Sequence, residues 1–221
     1  MDSKTNEITC VKPLLDELNI EGKVITADSL LTQKDISNYI VKERNADFVF
    51  TVKDNQPTLK EDIEQLNLTE EPCEYETITK GHGRIETRRI WCSSLLNDYV
   101  NFPNVKQVFC IEREVFNVKK DKTTTEGVYG ITSQSAEKAS PEKVLSQNRK
   151  HWSIENKVHY VLDVTFDEDR SRIRSLNGPM VMTSLRRFAI SLLRLHGETN
   201  ISQAFRKLWA KPHLAIRMAI P

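Results

Sequence analysis

No stretch of this chain is apolar for long enough to cross a membrane as a helix, which takes about 20 consecutive residues. Its opening residues, M-D-S-K-T-N-E, hold no apolar signal-peptide core. The four cysteines, Cys10, Cys73, Cys92 and Cys110, include no C-x-x-C pair. That argues against a cysteine zinc site and fits a reduced, intracellular protein. The net charge is only +1, so no global charge announces a nucleic-acid partner. A binding groove needs basic residues on one face alone, so local clustering still has to be read. No segment repeats at a fixed period and none is low in complexity. What remains is a chain of 221 residues, 38% hydrophobic and 29% charged, a composition that suits a globular protein of the cytoplasm. The length allows one domain with a substantial core, or one domain with an insertion.

The first third alternates between strand and helix patterns. Residues 13–19 read as a short helix with Pro13 in its first turn. Residues 23–27 (K-V-I-T-A) read as a buried strand with Asp28 at its C-terminal end. A helix over 32–43, a strand over 47–53 and a helix over 58–66 follow. This alternation predicts an α/β fold with a largely parallel sheet. Between about residues 70 and 133 the pattern changes to C-E-Y-E-T-I-T, R-I-E-T-R-R-I-W-C, V-K-Q-V-F-C-I-E-R-E-V and E-G-V-Y-G-I-T, separated by turn residues. These predict an antiparallel β insertion. Beyond Ser140-Pro141 the chain turns helical again to about Val164, breaks at Asn177-Gly178-Pro179, and forms an amphipathic helix over 180–195 and a last one over 202–209. The expected plan is a first core segment over 1–69, the β insertion over 70–133 and a helical part over 134–221. The insertion splits one domain in sequence and does not make a second one.

Chemistry-bearing residues stand at three places. In H-W-S-I-E-N, His151, Glu155 and then His159 are four apart and share one helical face. Trp152, Ile154, Val158, Val161 and Leu162 predict that this helix is mostly buried, so a carboxylate on it needs compensation. The trio could hold zinc by itself, as in a zinc hydrolase, although the H-E-x-x-H arrangement is absent. A carboxylate sharing Mg²⁺ with Asp28 suits oxygen-ligand chemistry better. Asp28 ends a strand, where open α/β sheets bind ligands, but a residue there also serves commonly as a turn or cap. In K-D-N-Q-P-T, Lys53 could grip a phosphate, helped by the amides after Pro57, with Gln56 in the same segment as a DNA contact. In H-G-R-I-E-T-R-R, Arg84, Glu86 and Arg88 share a strand face. The arginines could pair with Glu86 or face a nucleic-acid backbone, and the pattern does not choose between these. Arg170, Arg172, Arg174, Arg186, Arg187 and Arg194 add late positive charge, beside Asp167, Glu168 and Asp169.

T-A-D-S-L-L-T-Q, V-K-D-N-Q-P-T-L, H-G-R-I-E-T-R-R, H-W-S-I-E-N-K-V-H-Y-V-L-D-V-T-F-D-E-D and L-R-R-F-A-I-S-L-L-R stand here in one order. Together they resemble the bacterial insertion-sequence DDE transposases of the H-repeat-associated group. The resemblance implies a ribonuclease-H-like core, three carboxylates on two divalent ions (Mg²⁺ or Mn²⁺), and DNA cleavage and strand transfer. It implies terminal-repeat and target DNA as partners, a homo-oligomer on that DNA, and no membrane. Asp28 matches the second carboxylate and Glu155 the third, while His151 and Asn156 orient Glu155 or touch DNA. The first aspartate, in an apolar-D-G-K context, has no match: Asp2 lies at the terminus and Asp16 in a predicted helix. Leu31 stands where relatives often carry His. The expectation is therefore the C-terminal part of a transposase, inactive alone, with a sheet edge left open. A non-catalytic DNA-binding or regulatory remnant is the alternative.

Overall fold

The computed structural model describes residues 7–219, the side chains of Asn156 and Ala219 excepted. The chain divides into two compact units, the first ending at His151 and the second beginning at Trp152.

The first unit opens with α1 (Glu7–Asp16), which runs through Pro13 and not from it. An internal proline costs a helix about 3 kcal/mol. Here Ile8, Val11 and Leu15 form one stripe packed on the core, and that burial offsets the cost. β1 (Val24–Ala27) is followed by a 3₁₀ turn, Ser29–Leu31. The helix predicted over 32–43 is shorter and irregular: α2 (Lys34–Asn38) and then a π turn, Tyr39–Glu43. β2 (Asp47–Val52) is buried along its whole length, and α3 (Pro57–Glu64) takes Pro57 at its start. β3 (Tyr75–Gly81), β4 (Arg84–Ser93), β5 (Gln107–Asn117) and β6 (Lys122–Thr132) follow. α4 (Pro141–His151) closes the unit.

All six strands form one sheet in the order β1-β2-β6-β5-β4-β3. Only β1 and β2 pair in parallel, while β2–β6, β6–β5, β5–β4 and β4–β3 are antiparallel. The expectation of a largely parallel sheet is thereby corrected. The last of the inserted strands, β6, returns to pair with β2 and so extends the same sheet. Each face carries its own core. Ala27, Phe48, Phe50 and Val52 pack with α1, α2 and α3 on one side. Val49, Ile90, Phe109 and Ile111 pack with Val144 and Leu145 of α4 on the other. Burying each of the larger of these side chains contributes roughly 1.5–3 kcal/mol.

Gly130 is required where β6 crosses this second core. Phe109 pairs directly with it in the β5–β6 register. A β-carbon at Gly130 would lie 2.1 Å from the Phe109 ring and 2.6 Å from the carbonyl oxygen of Phe50. The missing side chain makes the room that the ring fills, a cross-strand glycine–aromatic pair.

The second unit begins with two π turns, Glu155–His159 and Val161–Thr165. α5 (Gly178–Leu195), α6 (Ile201–Ala210) and α7 (Pro212–Ala219) follow, the last unforeseen in the sequence. Its core is Leu162, Ile190, Leu193, Ile201 and Ala204. The helix expected to be mostly buried is so only in part: Trp152 is 55% exposed and Ile154 is 50% exposed, whereas Leu162 is in the core and Val158 and Val161 pack against it, half-buried. Among the described residues, no helix is long and apolar enough to cross a membrane.

Candidate functional site

Asp28 directly follows β1 and keeps an extended backbone, φ −75° and ψ 179°. The alternation of the strand therefore carries through it. Val24 packs against the core under α4, and Thr26 meets the last residue of that helix, with Thr26 Oγ1 3.3 Å from His151 Nδ1. Asp28 is next on that side and is exposed. One carboxylate oxygen accepts the Leu30 amide at 3.1 Å, so Asp28 also caps the 3₁₀ turn. Among the described residues it takes part in no ion pair.

The segment after Asp28 is tied down at both ends. Thr32 is fully buried, and its hydroxyl lies 2.7 Å from the Thr51 carbonyl on β2 and 3.2 Å from the carbonyl of Asp28 itself. Gln56 donates its side-chain amide to the Thr32 carbonyl at 2.9 Å, and Asn55 donates to the Ser29 carbonyl at 2.5 Å. The K-D-N-Q-P segment is thus a clasp over the Asp28 turn, and Gln56 spends its amide on backbone. Lys53, at the head of this segment, is exposed and has no ion pair among the described residues. Thr32 and Asn55 stand inside the T-A-D-S-L-L-T-Q and V-K-D-N-Q-P-T-L motifs, yet nothing in the sequence marks them as the residues that hold this turn. Their signal was weak: a buried threonine and a turn asparagine look the same in sequence as exposed ones.

Glu155 opens the first π turn of the second unit and His159 closes it; both are exposed. Glu155 follows His151 by four residues. The side chain of Asn156 lies outside the described residues. Among the described residues, no three His, Cys, Asp or Glu side chains are grouped to hold a metal ion.

Arg84 and Arg88 lie on the face of β4 that carries Ile90 and Cys92 toward α4. Arg84 is exposed, whereas Arg88 forms an ion pair with Glu86. Arg113 of β5 joins the same carboxylate at 2.9 Å and reaches Glu126 at 3.1 Å. Burial works to raise the Glu86 carboxyl, but the hydrogen bond from Arg113 and the charges of Arg88, Arg113 and Arg149 hold it below its ordinary value. The opposite face has its own ladder, in which Arg89 bridges Glu76 and Glu112, both at 2.8 Å.

A family model described as Transposase DDE domain matches residues 2–192. This chain belongs to the DDE transposase family. Its relatives include YbfL of Escherichia coli K12, 34% identical over 205 residues. They also include YncI of Escherichia coli O157:H7 (33%) and the H repeat-associated YhhI of Escherichia coli K12 (34%), both with transposase in their names. Each alignment covers 87% of this chain and 51–53% of the relative, so this transposase chain spans about half the length of those proteins. These matches agree with the H-repeat-associated group that its motifs resemble.

Proposed function

We propose that Asp28 and Glu155 of this DDE transposase chain are metal-binding carboxylates of a ribonuclease-H-like core that cuts and joins DNA in the cytoplasm. The observation that carries this reading is the course of α4. Its last residue touches Thr26, on the side of β1 where Asp28 comes next, and Glu155 is four residues further along. Two exposed carboxylates with no ion pair among the described residues fit Mg²⁺ or Mn²⁺, hard ions that bind one or two carboxylates together with substrate phosphate. Such an ion, when bound, activates an attacking oxygen and stabilises a leaving one. Asp28 presents its carboxylate from a turn held by Thr32, Asn55 and Gln56, so little ordering remains to be done on binding. His151, held at Thr26, orients the start of the Glu155 segment. Lys53, Arg84 and Asn156 contact the strand being processed, and a homo-oligomer assembles on terminal-repeat DNA.

Mn²⁺ titration of the chain by calorimetry tests the carboxylates. Asp28→Asn and Glu155→Gln should each weaken binding at least tenfold. Unchanged affinity in both variants would sink the assignment. A second reading is DNA binding without cleavage, through exposed basic side chains such as Lys53 and Arg84. On that reading the 221-residue chain binds duplex ends in a salt-dependent way and leaves a supercoiled plasmid intact in Mg²⁺.

A further inference from the structure

We propose that a pocket of about 310 Å³ in the second unit is a binding site for a DNA backbone phosphate and its sugar. Arg187 and Arg194 line it from one stripe of α5, and His159 lines it from the π turn that Glu155 opens. Ile154, Val158 and Ile190 complete the wall as an apolar surface. Among the described residues, no acidic side chain lines it.

The neighbouring arginine marks the contrast. Arg186 is largely buried and is spent on Glu168 at 3.0 Å, a carboxylate that Thr183 also supports at 2.6 Å. Arg187, one residue on, is exposed and has no ion pair among the described residues. Arg194 donates through Nη2 to the Lys157 carbonyl, which holds the guanidinium beside the pocket and leaves its other N–H groups for a ligand. The guanidiniums of Arg187 and Arg194 converge here; Glu168 attracts Arg187 from a distance but forms its ion pair with Arg186, so an arriving anion relieves the repulsion between the two pocket arginines. Guanidinium forks match phosphate oxygens two at a time. The apolar wall suits the sugar carbons and would be wasted on a free inorganic ion. That the phosphate belongs to DNA rests on the transposase reading; the cationic pocket itself does not.

The test is fluorescence anisotropy of a labelled duplex with the full chain, in EDTA, across a salt series. The absence of free metal separates this site from Asp28 and Glu155. Arg187→Ala and Arg194→Ala should each weaken binding about tenfold. Each should also lower the slope of log affinity against log salt by about one. The loss should be equal on two unrelated duplex sequences, because phosphate contacts carry no sequence information. Arg187→Lys should restore part of the affinity, keeping charge but losing the fork. Arg170→Ala, which removes an exposed arginine paired with Asp167, should leave the slope unchanged. Wild-type slope and affinity in both alanine variants, or no duplex binding by the wild-type chain at low salt, would overturn the proposal. If the pocket variants behave as expected while Mn²⁺ binding proves indifferent to Asp28 and Glu155, the pocket stands and the metal assignment falls.

Discussion

Gly130→Ala should be among the most damaging single-methyl changes in the sheet. The new carbon would sit 2.1 Å and 2.5 Å from two atoms of the Phe109 ring, where ordinary contact is about 3.5–4.0 Å. The ring would have to retreat by roughly 1.4 Å or more. It is fully buried and packs in one cluster with Val144 and Leu145, so its retreat presses on α4. The Phe50 carbonyl, 2.6 Å away, is backbone of β2 and yields less easily than a side chain. Overpacking of this kind costs about 1–3 kcal/mol, and two separate clashes point to the upper end. Alanine gains back about 0.5–1 kcal/mol over glycine in a strand. The net loss should be about 2 kcal/mol. Urea unfolding can be followed from the buried Trp91 in a Trp152→Phe, Trp209→Phe background, so that the signal reports the sheet unit alone. Phe109→Leu in the same chain should relieve part of the penalty, because residues in contact couple by about 0.5–3 kcal/mol. An unchanged midpoint for Gly130→Ala, or strictly additive losses in the double variant, would refute the packing account.

Two further outcomes follow from the turn and the charge network. Thr32→Val keeps the shape of a fully buried side chain but strips the hydroxyl from the Thr51 carbonyl. It should cost about 1–3 kcal/mol and speed amide exchange at Leu30; a loss below about 0.5 kcal/mol would count against the clasp. Glu86 titrates below its ordinary value of 4.5, so its contribution is present above that value and is lost as the pH falls through the lower folded value. Glu86→Gln should therefore flatten the acid limb of stability below about pH 4.5, leaving Arg88 and Arg113 less well paired at neutral pH. An acid limb of unchanged steepness would mean that other carboxylates dominate it.

The strand segments were legible because their apolar runs are short and bounded by turn residues. Residues 23–27 and 47–53 differ from the observed β1 and β2 by a single residue. The direction of pairing was not legible. Helix-linked β1 and β2 are parallel as the alternation implies, but β6 comes back to β2 from the opposite direction, and that pairing spans about 80 residues of sequence. The exposure of Trp152 and Ile154 was also hidden, because an apolar side chain signals burial whether or not a partner is present. Asp28 could be singled out from its strand-end position, whereas the clasp that holds its turn could not. Its bonds run from side-chain amides and a hydroxyl to backbone carbonyls, which leave no periodic trace. The arginines of α5 could have been sorted by phase: Arg187 and Arg194 are seven apart and share a stripe, while Arg186 falls off it.

The two consecutive π turns fix how the carboxylate helix is wound. In a regular α-helix, residues seven apart drift by only about 20° and so share a side. Glu155 and Leu162 are seven apart, yet one meets solvent and the other is 2% exposed. The wider turns between them supply that divergence. The number of residues separating the acid from the anchoring leucine is thus a structural constant: shortening it by one would swing one of the two out of its place, pulling a charge inward or an aliphatic side chain into water.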